Sequence, residues 1–183
     1  MELRQRRFAR AWQPDKTFVI AAQEGRQNIV VAVNDIAAAC GIAPGMTLSR
    51  ARVVEPELIS APATPEADKR ALDHLTVRAL RYSPLVAACA PDGLWIDATG
   101  VTHLFGGDAA MVRRIGKALR ATGFTARTAM APTPGAAWAW SHYGSGDPVL
   151  TKTETLDSLP LPALRLSHTT THALRNVGVK TIG

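Results

Sequence analysis

The chain has 183 residues, enough for one good hydrophobic core with a smaller appended piece. Apolar residues make up 46% and charged residues 20%, an ordinary globular composition. No apolar run approaches the ~18–20 residues of a membrane span, and the basic start MELRQRRFAR lacks the apolar stretch of a secretory signal. The formal net charge of +6 suits a polyanionic partner such as nucleic acid. Cys40 and Cys89 lie in apolar segments without C-x-x-C spacing and read as buried, reduced thiols of a cytosolic protein.

In chain order, Thr17–Ala22 and Asn28–Val33 read as strands joined by the polar turn Gln23–Gln27. Asn34 or Asp35 can cap a short helix, Ile36–Cys40, that stops at Gly41. A Pro-Gly turn and a helix capped by Thr47 follow. The next stretch is a linker and a long helix, with Thr64 as N-cap and Pro65 at the first helical position. Leu72, Leu75, Ala79 and Leu80 are the expected apolar stripe of that helix. Leu85–Ala90 and Gly93–Asp97 are strands flanking a Pro-Asp-Gly turn. Asp108–Thr122 is the clearest amphipathic helix. Met111, Val112, Ile115 and Leu119 form its stripe, with Arg113, Arg114, Lys117 and Arg120 mostly off it. A strand at Thr125–Met130, an Ala- and Trp-rich helix at Pro132–Tyr143, and a short strand at Val149–Leu150 complete the pattern. From Thr64 on, the order is that of an α+β sandwich of the ferredoxin-like kind. The tail adds a linker, a helix at Thr169–Asn176 and a Gly-Val-Lys-Thr turn.

Most local motifs have plain explanations. His168 and His172 have metal-binding spacing on a helix, but no nearby Cys, Asp or Glu pattern completes a site, so they read as surface histidines. Gly144–Pro148 lacks the Lys-Ser/Thr of a phosphate loop and is a turn. Of Trp138 and Trp140, about 200° apart on a helix, one is expected in the core. The basic face of Asp108–Thr122 could track phosphates or be solvated surface. The turn at Gly178–Lys180 could be half of a helix-hairpin-helix, which offers backbone N–H groups to a phosphate. Asp92 and Asp97 flank the apolar Leu94-Trp95-Ile96. Such a placement can hold a catalytic metal, although Asp-Gly is also a good hairpin turn, and Asp97 can accept backbone hydrogen bonds before Thr99-Gly100.

Three segments together resemble Y-family translesion DNA polymerases. "VNDIAAACGIAPGMTLSRARVVEPEL" is similar to their fingers, "PDGLWIDATGVTHLFGG" to the palm strand that carries metal-binding acids, and "APTPGAAWAWSHYG" to the palm helix after it. "RYSP", "HLFGG" and "TPGAAWA" point to the ImuB-like branch, the polymerase-like proteins of bacterial mutasomes. The resemblance covers roughly Gly25 to Gly183. It implies a ferredoxin-like palm with a small fingers subdomain and the start of a helix-hairpin-helix thumb. On that pattern residues 1–16 are a basic remnant, 17–62 fingers-like, 63–159 palm-like and 160–183 the incomplete thumb.

The resemblance also implies catalytic degeneracy. Two-metal polymerase chemistry needs clustered carboxylates. Where active relatives carry an Asp-Glu pair, this chain has Asp92 and Gly93. The first palm strand and its Asp have no counterpart, since Glu2 and Asp15 lie in no apolar strand. The Tyr-x-x-Arg pair that holds the triphosphate corresponds to Asp35 and Ala38, and the palm-helix Lys to Trp138. An Asp facing three phosphates repels them. The implied protein is a non-catalytic mutasome hub in damage-induced mutagenesis and translesion synthesis. It would be cytoplasmic, with no cofactor and no preserved Mg²⁺ site. Its implied partners are DNA, a RecA-like accessory protein, an error-prone replicative-type polymerase subunit and the sliding clamp. Arg113, Arg114, Lys117, Arg120, Gly178 and Lys180 are the candidate DNA contacts. The alternatives are an active nucleotidyltransferase whose first acid lies upstream of this chain, and a fragment that binds DNA outside any mutasome.

Overall fold

The computed structural model describes residues 15–122, 124 and 126–183. The basic remnant, apart from Asp15 and Lys16, and the expected strand residue Thr125 lie outside the described residues. Two compact units are present. One takes the described residues up to Arg78 together with Ala87–Leu94, and the other Ala79–Val86 together with Trp95–Gly183.

The first unit is built on β1 (Phe18–Glu24) and β2 (Gln27–Val33), an antiparallel hairpin whose ladder runs to Glu24 opposite Gln27. Only Gly25 and Arg26 remain for the turn, and Gly25 sits at φ 60°, a left-handed conformation that favours glycine. The strand β3 (Ile59–Pro62) adds to the other side of β1 in parallel, giving the order β2-β1-β3. As the central strand, β1 is buried on both faces. Val19 packs with Val30, Ala37, Ile42, Ala51 and Leu58, and Phe18 and Ile20 with Ala61. Ala37 comes from α1 (Asp35–Ala39) and Ala51 from α2 (Leu48–Val54), so these two short helices cover the Val19 face. Thr47 caps α2 by accepting from Arg50 N–H at 3.3 Å.

The helix α3 (Pro65–Ala79) starts at the expected proline. Its stripe is shorter than expected: Leu72 and Ala79 are buried, but Leu80 is 50% exposed because the helix ends one residue before it. Thr64 does not cap with its side chain. Its carbonyl accepts from Ala67 and Asp68 N–H, while its buried Oγ1 has no partner among the described residues. The strands β4 (Val86–Cys89) and β5 (Gly93–Ile96) form a two-stranded sheet.

In the second unit a 3-10 turn, Thr102–Phe105, leads into α4 (Asp108–Ala121), whose Met111, Val112 and Gly116 are buried. Next, α5 (Pro134–Tyr143) is capped by Thr133, which accepts from Ala136 N–H at 3.2 Å. Two 3-10 turns, Thr153–Ser158 and Leu161–Leu164, precede α6 (His168–Asn176), capped by Ser167. Both tryptophans of α5, rather than one, pack on the cluster of Ala139, Leu159 and Ala163. Leu156 of the first 3-10 turn and Ile182 near the end of the chain pack on the same cluster.

The strand expected at Thr125–Met130 reduces to one residue. Met130 forms an isolated parallel bridge with Val149, and 126–129 are irregular. Backbone groups make a strand only against a partner, and no described strand pairs with 126–129. The cysteines also differ from expectation: Cys40 is exposed and Cys89 only partly buried. Cys40 sits past the end of a helix of five residues whose inward residue is Ala37, and Cys89 ends a hairpin strand that is itself largely exposed.

Candidate functional site

Asp92 is exposed in the turn between β4 and β5, and Gly93 begins β5. A Cβ built on Gly93 would lie 3.2 Å from the Cys89 carbonyl oxygen and 3.3 Å from the Cys89 Cβ. A side chain there would need Cys89 to give by a few tenths of an ångström. One exposed carboxylate beside a glycine does not fit a two-metal centre, which draws on several carboxylates. Among the described residues no group of three or more His, Cys, Asp or Glu side chains is placed to hold a metal ion.

Asp97, past the end of β5, has a structural role. Hydrogen bonds from the Thr99 side chain and from Thr99 N–H, the latter at 2.9 Å to Oδ1, hold its carboxyl below the usual carboxylate range. The carboxylate thereby closes the turn into Thr102–Phe105, as an Asx turn does.

Asp35 and Ala38 stand on α1, and both are exposed. The helix is held by Asn34, which is buried. Its Oδ1 accepts from Ala37 N–H at 2.9 Å and Phe18 N–H at 3.2 Å, and its Nδ2 donates to the Lys16 carbonyl at 2.8 Å. One side chain thus caps α1 and ties it to the start of β1. The exposed positions Asp35 and Ala38 on this short helix carry an acid and a methyl group and no cation.

Trp138 is partly buried on α5. Its ring stacks on His142 with centroids 4.1 Å apart, and the Arg165 guanidinium lies 5.1 Å from it. The C-terminal carbonyls of α5 at His142, and of Gly144 just beyond, accept from the two arms of the Arg127 guanidinium. Sequence reasoning missed this clamp. Arg127 lies in the irregular segment, and nothing local links it to the far end of a helix 15 residues on.

The four cations of α4 are all exposed but do not form one face. At 100° per residue, Arg113, Lys117 and Arg120 fall on one narrow stripe. Arg114 lies about a quarter-turn aside, with its guanidinium 5.6 Å from the Phe105 ring centroid. At the turn after α6, Gly178 sits at φ 92° and Lys180 is exposed. Gly178 N–H donates to Arg175 O and Val179 N–H to Leu174 O, each at 3.0 Å. These two amides are engaged within the turn. His172, also on α6, lies 3.2 Å from Asn176 through its Nδ1, and the His168 side chain lies outside the described residues.

An open cleft of about 570 Å³ lies against β1 and β3 in the first unit, where Gln23, Asn28 and Ser60 are the polar lining. Among the described residues that line it none is titratable.

Residues 9–142 match the impB/mucB/samB family, the Y-family polymerase domain. The chain belongs to that family. It is 38% identical over 146 residues to Protein ImuB of Caulobacter vibrioides strain NA1000 / CB15N, an overlap of 78% of this chain and 32% of the relative. The Protein ImuB of strain ATCC 19089 / CIP 103742 / CB 15 of the same species matches equally. Among solved structures, DinB from Sulfolobus solfataricus superposes with a TM-score of 0.77 at 16% identity, covering 98% of this chain and 54% of that one. An insertion ternary complex of Dbh DNA polymerase gives a TM-score of 0.76 over the same shares. At that identity the likeness concerns the fold, the α+β fingers and palm region of family members. The chain spans about a third of the length of the curated relatives it matches and about half of the structural ones. No helix among the described residues is long and apolar enough to cross a membrane.

Proposed function

We propose that the chain is the fingers and palm part of a non-catalytic, ImuB-like protein that serves as a mutasome hub in damage-induced mutagenesis and translesion synthesis. The observation that carries this reading is the Asp92–Gly93 turn. Family members that polymerise place an Asp-Glu pair there, whereas here one exposed carboxylate stands beside a glycine. The exposed Asp35 and Ala38 and the stacked Trp138 support it from the triphosphate side. No Mg²⁺ is held tightly on this reading, because one carboxylate without substrate phosphate is a weak ligand set.

A palm without chemistry keeps its use as a scaffold, since fold and activity are separable. DNA is contacted weakly by Arg113, Lys117 and Arg120 on α4, with Lys180 at the thumb-like turn. Synthesis is performed by a separate error-prone replicative-type polymerase subunit, brought with a RecA-like accessory protein to the sliding clamp in the cytoplasm. Residues 17–62 act as fingers, 63–159 as palm and 160–183 as the start of the thumb.

Primer extension with Mg²⁺ or Mn²⁺, beside an active Y-family polymerase, tests the reading. The expected result is no template-directed incorporation, in the chain and in Asp92→Ala alike. Extension that Asp92→Ala abolishes overturns it.

A further inference from the structure

Within the second unit, four side chains follow one another in contact, the two rings at the middle tilted by 51°. The Arg81 guanidinium lies 4.9 Å from the Tyr82 ring centroid, and Tyr82 and Phe105 have centroids 5.8 Å apart. Arg114 closes the row over Phe105 at 5.6 Å. Tyr82 is buried at 8% exposure, so the row has a fixed base with an arginine at each end. Neither arginine has a carboxylate partner among the described residues. Stacking on a ring fixes a guanidinium and leaves its N–H edge free for a carboxylate fork.

Beside Phe105, Leu104 is 68% exposed. Its 3-10 turn is closed by Leu104 N–H to Val101 O at 3.0 Å and Gly107 N–H to Thr102 O at 2.9 Å. Leu104 therefore stands outward on a rigid turn. Leu80, next to Arg81, is also half exposed. A phosphate backbone could neutralise the two arginines but would leave Leu104 in water. An apolar side chain between acidic ones would satisfy both.

We propose that the Arg81–Tyr82–Phe105–Arg114 row, with Leu104 beside it, is a docking surface for an acidic peptide segment of a protein partner that carries a bulky apolar residue. Charge complementarity and the exposed leucine select this occupant. The row is separate from the stripe of Arg113, Lys117 and Arg120, and the proposal does not depend on the chain being non-catalytic.

The test is fluorescence anisotropy with the whole chain and three labelled probes: a glutamate-rich peptide carrying two leucines, the same peptide with serines for leucines, and oligo-dT. The leucine peptide should bind, and bind about tenfold more tightly than the serine peptide. Leu104→Ser and the double change Arg81→Glu with Arg114→Glu should each weaken it about tenfold. A like charge change at Lys69→Glu with Arg70→Glu on α3 should alter it less than about twofold. Arg81→Lys with Arg114→Lys keeps the charge but not the planar fork, and should fall between. All of these positions but Tyr82 and Phe105 are exposed, and circular dichroism melts establish that the variants fold. Equal binding of the two peptides, indifference to Leu104→Ser, or no peptide binding overturns the proposal. So does loss of oligo-dT in place of peptide in the Arg81/Arg114 variant, which would make the row a phosphate contact.

Discussion

Asn34→Ala should destabilise the first unit by about 3 kcal/mol. The side chain makes three hydrogen bonds, at 2.8, 2.9 and 3.2 Å, and is 5% exposed. Loss of an N-cap costs about 1 kcal/mol. The bonds to Phe18 N–H and the Lys16 carbonyl contribute about 1 kcal/mol each, more if a buried group is left without a substitute. Water has poor access to replace them, because Phe18 is fully buried. In a chain of this size the change lowers the melting temperature by roughly 6–12 °C. Urea unfolding followed by far-UV circular dichroism measures the global loss. Amide exchange at Ala37, whose acceptor is removed, measures the local one. Asn34→Ser keeps a capping oxygen for Ala37 N–H and gives up the bonds to Phe18 N–H and the Lys16 carbonyl, so it should lose about two-thirds as much. A loss below about 1 kcal/mol for Asn34→Ala would refute the assignment of this side chain as the joint between α1 and β1. Equal losses for Ala and Ser would place the energy in the contacts to Lys16 and Phe18 and none in the cap.

Three other perturbations follow from the same structure. A Cβ on Gly144 would meet the Trp140 ring at 2.3 Å and the Trp140 carbonyl at 2.6 Å, so Gly144→Ala should cost about 1–3 kcal/mol by overpacking; an unchanged thermal melt refutes this. Asp97 has a lowered folded-state value, so its stabilising contribution is complete above the ordinary 3.8 and is lost as pH falls through the lowered value. Asp97→Asn should therefore flatten the acid limb of melting temperature against pH below about 4 and leave the neutral region's slope unchanged; an altered slope above about pH 6 would show another group at work. Reversing Arg113 and Lys117 should make the log-log salt slope of DNA binding shallower by about 2, one for each phosphate no longer neutralised, whereas an unchanged slope makes the stripe solvated surface.

What could be read from the sequence is what local chemistry determines. The apolar runs Phe18–Ala21 and Ile29–Val33 mark strands, and Asn34 and Thr47 mark helix starts, because a cap needs only the next turn. The strand β3 was not legible. Its four residues end in proline, and its partner is a strand some forty positions earlier, so no short pattern announces it. For the same reason 126–129, with good strand composition, form no strand: pairing and not propensity decides. At the candidate site, the place of Asp92 in a hairpin turn could be read directly, because Asp-Gly is itself a turn signal. The separation of Arg114 from its three neighbours could not, because its direction is set by a ring on another element.

The sheet order of the first unit also sets a schedule for synthesis. The β1–β2 hairpin needs only its two-residue turn and can close within microseconds once both strands are free. Its Val19 face must then wait for Ala37, Ile42 and Ala51, and its other edge for Ile59–Pro62. At the pace of translation that interval is a few seconds, during which a growing chain presents an apolar ribbon with an unpaired edge. Pro62 at the far end of β3 then brings a residue without an N–H to the completed sheet, where the edge can no longer recruit a further strand at that position.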